Sequence, residues 1–302
     1  MPAKPINNNV QRVISAVPPQ GLVLLAIFAI QLGAAGATHL FPILGPSGTV
    51  AVRIIFSALL LTLLAGNNAK TFFQTFKDNW SLLLVFGLCI AAMNLFFYQA
   101  IARIPLGTAV AIEFIGPLGL AAFTSRRLIH FAWIGLAALG IVLLSPLSGV
   151  DLDPLGIVFA MMAGSAWALF IVLAGRIGKH IQGNEGLAIG MGVAAIIMIP
   201  LVIPVSAELV LNPLVLLAAL LVAFLSTTIP FTLEFEALKR LSSRSYGILI
   251  SLEPGVAAMV GAILLGERIG IKGLIALACV MIAAIGISLT DKQTEQEDIP
   301  ER

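Results

Sequence analysis

Ten stretches of this chain, each about twenty residues long and almost wholly apolar, leave few folds open to it. A helix needs roughly 20 predominantly apolar residues to cross ~30 Å of hydrocarbon. The runs lie at about 20–41, 48–66, 80–101, 105–123, 131–147, 155–175, 186–203, 213–236, 246–265 and 271–289, bounded by Pro, Gly, Asn and charge. Composition agrees: 59% of residues are hydrophobic and only 11% charged, where about 25% charged is usual in a soluble domain. So little charge cannot cover a water-facing surface, which excludes a soluble enzyme, a nucleic-acid binder and a disordered protein. A net charge of +2 gives no argument for a polyanionic partner. The expected fold is all-α and integral to the membrane, with ten transmembrane helices. The first run has Arg12 ahead of it and a small-residue Ala35-Gly36-Ala37 segment, like a signal peptide, but it is long enough to cross and nine further runs follow.

Lys and Arg in the short connections orient the chain. With the amino end inside, thirteen fall on inner segments and three, Arg103, Arg268 and Lys272, on outer ones, Arg53 lying within a span. Both termini are therefore expected in the cytoplasm, as polar tails 1–19 and 290–302. Ten spans divide into five-helix halves at 20–147 and 152–289. At an offset of 137, Arg103 and Pro117 fall on Arg240 and Pro254, with Ala100 and Ala121 on Ala237 and Ala258. An odd number of spans per half inverts the second half relative to the first. Inverted repeats with a site near the midplane are a transporter architecture.

A charged side chain at the bilayer centre costs about 2.5–3.5 kcal/mol on insertion scales, which makes such residues functional candidates. Glu113 is ninth in the fourth span, about 12 Å in by helical rise. Pro117 removes the N–H that would have bonded its carbonyl, so an acid and a backbone acceptor sit at one depth, as a proton or cation site requires. The competing reading is a protonated packing residue. Glu253, directly before Pro254, is a near equivalent in depth, although its register partner is Gly116; it is either functional or a structural acid at a kinked helix. Pro117 and Pro254 are the expected helix breaks. Arg53, about 8 Å below the outer surface, either binds a substrate carboxylate bidentately or snorkels outward.

Glu234 and Glu236 near the inner end of the eighth span point about 200° apart and form no carboxylate pair; Glu236 reads as solvated, and Glu234 as solvated or facing the lumen. Gln31, Asn94, Tyr98, Trp167 and Thr228 are neutral groups that complete a pocket or make interhelical bonds, Asn94 and Tyr98 sharing one helix face. Cys89 and Cys279 read as small buried hydrophobes, and His39, His130 and His180 have no zinc-ligand spacing. There is no phosphate loop, HExxH or Ser/His/Asp arrangement at one depth, and no filter-like sequence.

Met93-Asn94-Leu95-Phe96-Phe97-Tyr98, Glu113-Phe114-Ile115-Gly116-Pro117-Leu118, Ser125-Arg126-Arg127, Leu233-Glu234 and Leu252-Glu253-Pro254 together resemble the bacterial inner-membrane threonine and homoserine exporters of the drug/metabolite transporter superfamily. The resemblance covers nearly the whole chain. It departs at Thr38-His39-Leu40, where an Arg is expected, and at Glu236, where an apolar residue is expected. It implies proton-coupled efflux of a small zwitterionic amino acid, with no ATP and no prosthetic group. Arg53 or a broken-helix amino end would take the substrate carboxylate, and Glu113 or Glu253 the ammonium. A broad drug or metabolite effluxer of the same fold is the first competitor. The second is an intramembrane enzyme or scaffold without transport.

Overall fold

The computed structural model describes residues 17–65, 69–124, 128–144, 152–181, 185–230, 233, 237 and 249–290. Among them the regular elements are all helical: α1 (Pro19–Thr38), α2 (Phe41–Ala65), α3 (Ala69–Asp78), α4 (Trp80–Ile101), α5 (Leu106–Glu113), α6 (Ile115–Thr124), α7 (Leu128–Leu144), α8 (Pro154–His180), α9 (Glu185–Val202), α10 (Ser206–Leu211), α11 (Pro213–Ala223), α12 (Glu253–Leu264) and α13 (Ile271–Thr290). A 3-10 turn, Ile203–Val205, precedes α10, and a π turn, Phe224–Thr228, continues α11. Five helices, α1, α2, α4, α8 and α9, are long and apolar enough to cross a membrane. Five shorter apolar segments, Leu106–Leu120, Phe131–Gly140, Pro213–Thr228, Glu253–Leu264 and Ile271–Gly286, fall on the other expected spans. Among the described residues the protein is all-helical, and ten apolar helical segments fall on the ten expected spans.

Helix starts follow from local chemistry. Pro19 sits in the first turn of α1, where its missing N–H forfeits no helical bond. Asp153 caps α8 by accepting from the Leu155 N–H at 2.9 Å, with Pro154 next in line. Asn212 caps α11 in the same way, accepting from Leu214 and Val215 at 3.2 and 3.4 Å.

The breaks set the depth of the polar residues. At Gly45 (φ 65°, ψ 165°) α2 turns sharply just ahead of Pro46, so its first turn is offset from the span proper. The fourth span stops at Glu113 and resumes at Ile115, with Phe114 between them and Pro117 one turn on. In the ninth span the chain turns at Ser251 and Leu252 and α12 starts at Glu253, with Pro254 in its first turn. Sequence reading takes 66–80 as a plain connection; α3 lies there, its Phe72 and Phe76 packed on the main core and Phe73 71% exposed.

The neighbouring pairs are α4 with α8 and α9, α2 with α9, α7 with α13, α5 with α12, α8 with α5 and α6, and α1 with α12 and the π turn. Tyr98, Phe86, Ile54 and Ile90 are among the largest fully buried side chains, whereas Leu63, Leu211, Leu214, Ile263 and Ile271 stand out on the perimeter as a lipid-facing coat.

Polar contacts tie both ends of the bundle. At one end Thr75 Oγ1 on α3 donates to Glu185 Oε1 at the start of α9, at 3.1 Å. At the other, Gln99 Nε2 donates to Ser47 Oγ at 2.8 Å, and Arg103 Nε lies 3.7 Å from Asp153 Oδ2. There too the Leu106 N–H, at the start of α5, is shared by both oxygens of Glu267, at 2.9 and 3.0 Å. Each grouping joins connections that an up-and-down path puts at the same end.

Candidate substrate site

Between the helices lies a cavity of about 470 Å³, within the usual range for small-molecule sites. Its lining runs from Tyr98, one turn below the Arg103–Asp153 end, to Leu187, two residues from the Glu185–Thr75 bond at the opposite end. Gln31 of α1, Arg53 of α2, Asn94 and Tyr98 of α4, Glu113 at the end of α5, Pro117 of α6, Trp167 of α8 and Glu253 of α12 all line it. Pro254 is buried next to Glu253 in the first turn of α12, outside the lining. Glu234 lies outside the described residues.

The cationic side is built around Arg53, which is only 9% exposed. Its guanidinium turns inward instead of snorkelling: Nη1 donates to Ser226 Oγ at 3.1 Å and Nη2 to Asn94 Oδ1. Its carbon lies 4.9 Å from the centre of the Tyr98 ring, a cation–π contact. Asn94 cannot turn its oxygen away, because its Nδ2 donates to the Ile90 carbonyl one turn back at 2.8 Å. Ser226 Oγ in turn donates to the Val222 carbonyl at 2.6 Å, which leaves its lone pairs to the arginine. Arg53 Nε and the Tyr98 hydroxyl are buried without a hydrogen-bond partner. Nε and Nη2 form the side-on edge of the guanidinium, the fork that matches a carboxylate.

The same cavity is lined by two acids, Glu113 and Glu253. Glu253 Oε1 accepts from Gln31 Nε2 at 3.0 Å, while Gln31 Oε1, in a side chain 1% exposed, is buried without a partner. Glu113 lines the same cavity as Glu253 and Arg53. The carbonyl of Glu113, released by Pro117, abuts the backbone of Gly164 on α8, where any Cβ would collide with it. The side chain of Glu113, and not this carbonyl, is therefore what the residue offers the cavity. Phe114 and Trp167 meet edge to face at 5.1 Å, and Phe97, Phe170, Met93 and Met191 complete an apolar wall.

Sequence reasoning missed Ser226 and Thr227, which line the cavity from the π turn. Their signal was a run of three hydroxyl residues, Ser226-Thr227-Thr228, inside an apolar span; Thr228 is buried in the turn but is not part of the lining. A π turn inserts one extra residue and is frequent at functional sites. It swings Ser226 against α1, where a Cβ on Gly33 would lie 2.6 Å from that of Ser226.

A ten-span bundle around a cavity with buried charges of both signs has the build of a membrane carrier. Comparison with known proteins agrees. Residues 154–289 match the EamA-like transporter family. The chain is 38% identical, over 92% of its length and 95% of the relative's, to the threonine/homoserine exporter RhtA of Salmonella typhimurium (strain SL1344). It is 39% identical to the RhtA of Escherichia coli (strain K12), over 90% of this chain and 92% of the other. An uncharacterized transporter of Bacillus subtilis (strain 168), YwfM, is 26% identical over 71% of this chain and 76% of its own. A crystal structure sharing 16% identity superposes with a TM-score of 0.59, over 89% of this chain and 98% of that one, and so has the same fold. The chain belongs to the EamA-like transporter family of the drug/metabolite transporter superfamily. It is thus a transporter and not an intramembrane enzyme.

Proposed function

We propose that this protein is a secondary exporter of small zwitterionic amino acids, threonine and homoserine foremost, driven by proton antiport across a bacterial inner membrane. The observation that carries the reading is one cavity lined by both a guanidinium, held by Asn94 and Ser226, and a carboxylate, held by Gln31. A zwitterion needs both: Arg53 takes the carboxylate, and Glu113 or Glu253 the ammonium. The 38–39% identity to threonine/homoserine exporters supports the choice of substrate.

Alternating access needs two interchangeable halves, which we place at 20–147 and 152–289 in inverted orientation. In support, exchanging each span with the one five further on turns the α4·α8 pair into the pair of the eighth and first spans. It also turns the α8·α5 pair into α1·α12, and maps α2·α9, α5·α12 and α7·α13 onto themselves. With both termini cytoplasmic, as the Lys and Arg distribution argues, the cavity reaches toward the cytoplasm and is shut on the outside by the Gln99, Arg103 and Glu267 contacts.

The apolar wall of Phe97, Phe114, Trp167 and Phe170 favours a second reading, a broad metabolite effluxer. Radiolabelled threonine counterflow in proteoliposomes separates the two. Selective competition by threonine and homoserine supports the exporter, and equal competition by unrelated lipophilic cations supports the effluxer.

A further inference from the structure

Resting on that reading of the site as a zwitterion carrier, we propose that its two acids divide the work. Glu253 with Gln31 forms a permanently anionic seat for the substrate ammonium, and Glu113 is the acid that exchanges the proton.

The acids stand at opposite kinds of helix end. Glu253 is the first residue of α12, preceded by the cap residue Leu252. The unbonded N–H groups and partial positive charge of a helix start favour an anion. Glu113 is the last residue of α5, where the partial negative charge of a helix end favours the neutral acid. Gln31 adds an independent observation. Its Nε2 donates to Glu253 Oε1 at 3.0 Å, which supports a carboxylate there, while its Oε1 is buried with no partner. An unsatisfied amide oxygen beside a carboxylate favours a group that only donates. An ammonium, with its three N–H bonds, is such a group.

The surroundings of Glu113 complete the argument. Among the described residues, the charged or titratable groups lining its cavity are Arg53 on α2, Tyr98 on α4 and Glu253 on α12. α8, α13 and α1 contribute Trp167, Ala284 and Gln31 there, none of which titrates as an acid or base. Two carboxylates in one desolvated site do not both ionise readily. With Glu253 held as the anion, the proton resides on Glu113 in the empty carrier. When the ammonium reaches Glu253 and Gln31, its positive charge offsets the repulsion. The O–H bond of Glu113 breaks and the proton leaves to water on that side of the membrane. Dissociation of the amino acid on the other side reverses the step, so one proton exchanges for each zwitterion.

Threonine binding to the purified full-length protein, measured by calorimetry across pH together with proton release in weak buffer, tests the division. Wild type is expected to bind more tightly as pH rises, by up to about tenfold per unit while one proton is linked. Glu113→Gln should bind threonine with an affinity independent of pH and release no proton. Glu253→Gln should weaken binding on the order of 10–100-fold and, because the anion that keeps the proton on Glu113 is gone, move the pH-dependent window to lower pH. Gln31→Leu, which leaves both acids in place, should weaken binding while keeping the slope, and so tests the seat even where Glu253→Gln does not fold. A slope that survives in Glu113→Gln, that disappears in Gln31→Leu, or that stays in the wild-type pH window in Glu253→Gln overturns the assignment. Wild-type protein that does not bind threonine at all overturns the zwitterion reading itself, and this assignment with it.

Discussion

The amide of Gln31 donates to the carboxylate of Glu253 at 3.0 Å, joining residues 222 positions apart at the wall of one cavity. That bond fixes the acidic side of the site to the first span, as the bonds from Arg53 to Asn94 and Ser226 fix the cationic side to the third and eighth. Each charged group is held by a helix other than its own. A change in how these helices pack therefore changes the site, which is what a carrier requires of its binding residues.

Arg53→Lys should keep the fold and lose substrate. A lysine retains the charge but has no planar, side-on fork for a carboxylate. Threonine affinity is expected to fall on the order of 10–100-fold, measured by calorimetry, with the elution profile of the purified protein unchanged. Wild-type affinity in the variant would remove Arg53 from the carboxylate site.

Asn94→Asp distinguishes binding from packing. The new carboxylate would pair with the guanidinium that Asn94 already touches, leaving stability intact while occupying the charge meant for substrate. The thermal midpoint in detergent is expected not to fall, while threonine affinity drops by about tenfold or more. If affinity is unchanged, the guanidinium is not the carboxylate's partner.

Glu267 offers a pH test outside the spans. Burial pushes its carboxyl above the ordinary carboxylate range, partly opposed by the hydrogen bond from the Leu106 N–H. A raised folded-state pKa means that the stabilising contribution is complete below the unfolded value and is lost as pH rises through the folded one. The thermal midpoint of wild type should fall across that window, whereas Glu267→Gln, whose amide oxygen still accepts from Leu106, should show a smaller fall. Glu267→Ala leaves the N–H without its acceptor and should be destabilised at every pH, by about 1–3 kcal/mol. An identical pH slope in wild type and Glu267→Gln would contradict this.

Topology is checked by labelling. With Cys89 and Cys279 replaced, Gln74→Cys on α3 should react with an impermeant maleimide only from the cytoplasmic side, and Glu208→Cys on α10 only from outside. Both positions are exposed. Labelling of both from one side would end the inverted-repeat argument.

The spans were legible because hydrocarbon thickness imposes a length that apolar runs report directly. Arg53, Glu113 and Glu253 were legible as candidates because a charge within a span is costly; they share one cavity with Gln31, Asn94, Tyr98 and Trp167 because the fourth and ninth spans break at Glu113 and Glu253. Other features depend on tertiary packing. Whether Arg53 snorkels or turns inward was decided by Asn94 and Ser226 on other helices. The π turn that presents Ser226 adds one residue to a helix without changing its composition. The helix α3 alternates Phe with Lys, Thr and Gln, too polar to read as a span and too short to stand out as a surface helix.

The central claim, that an amino acid and a proton pass through this cavity in opposite directions, is tested most directly in proteoliposomes loaded with a pH-sensitive dye and given an imposed pH gradient. The account predicts that threonine accumulates in the compartment from which protons leave, that the dye reports a matching proton flux, and that Glu113→Gln abolishes both while preserving threonine counterflow. Threonine that merely equilibrates, whatever the gradient, with no proton flux tied to its movement, would contradict it.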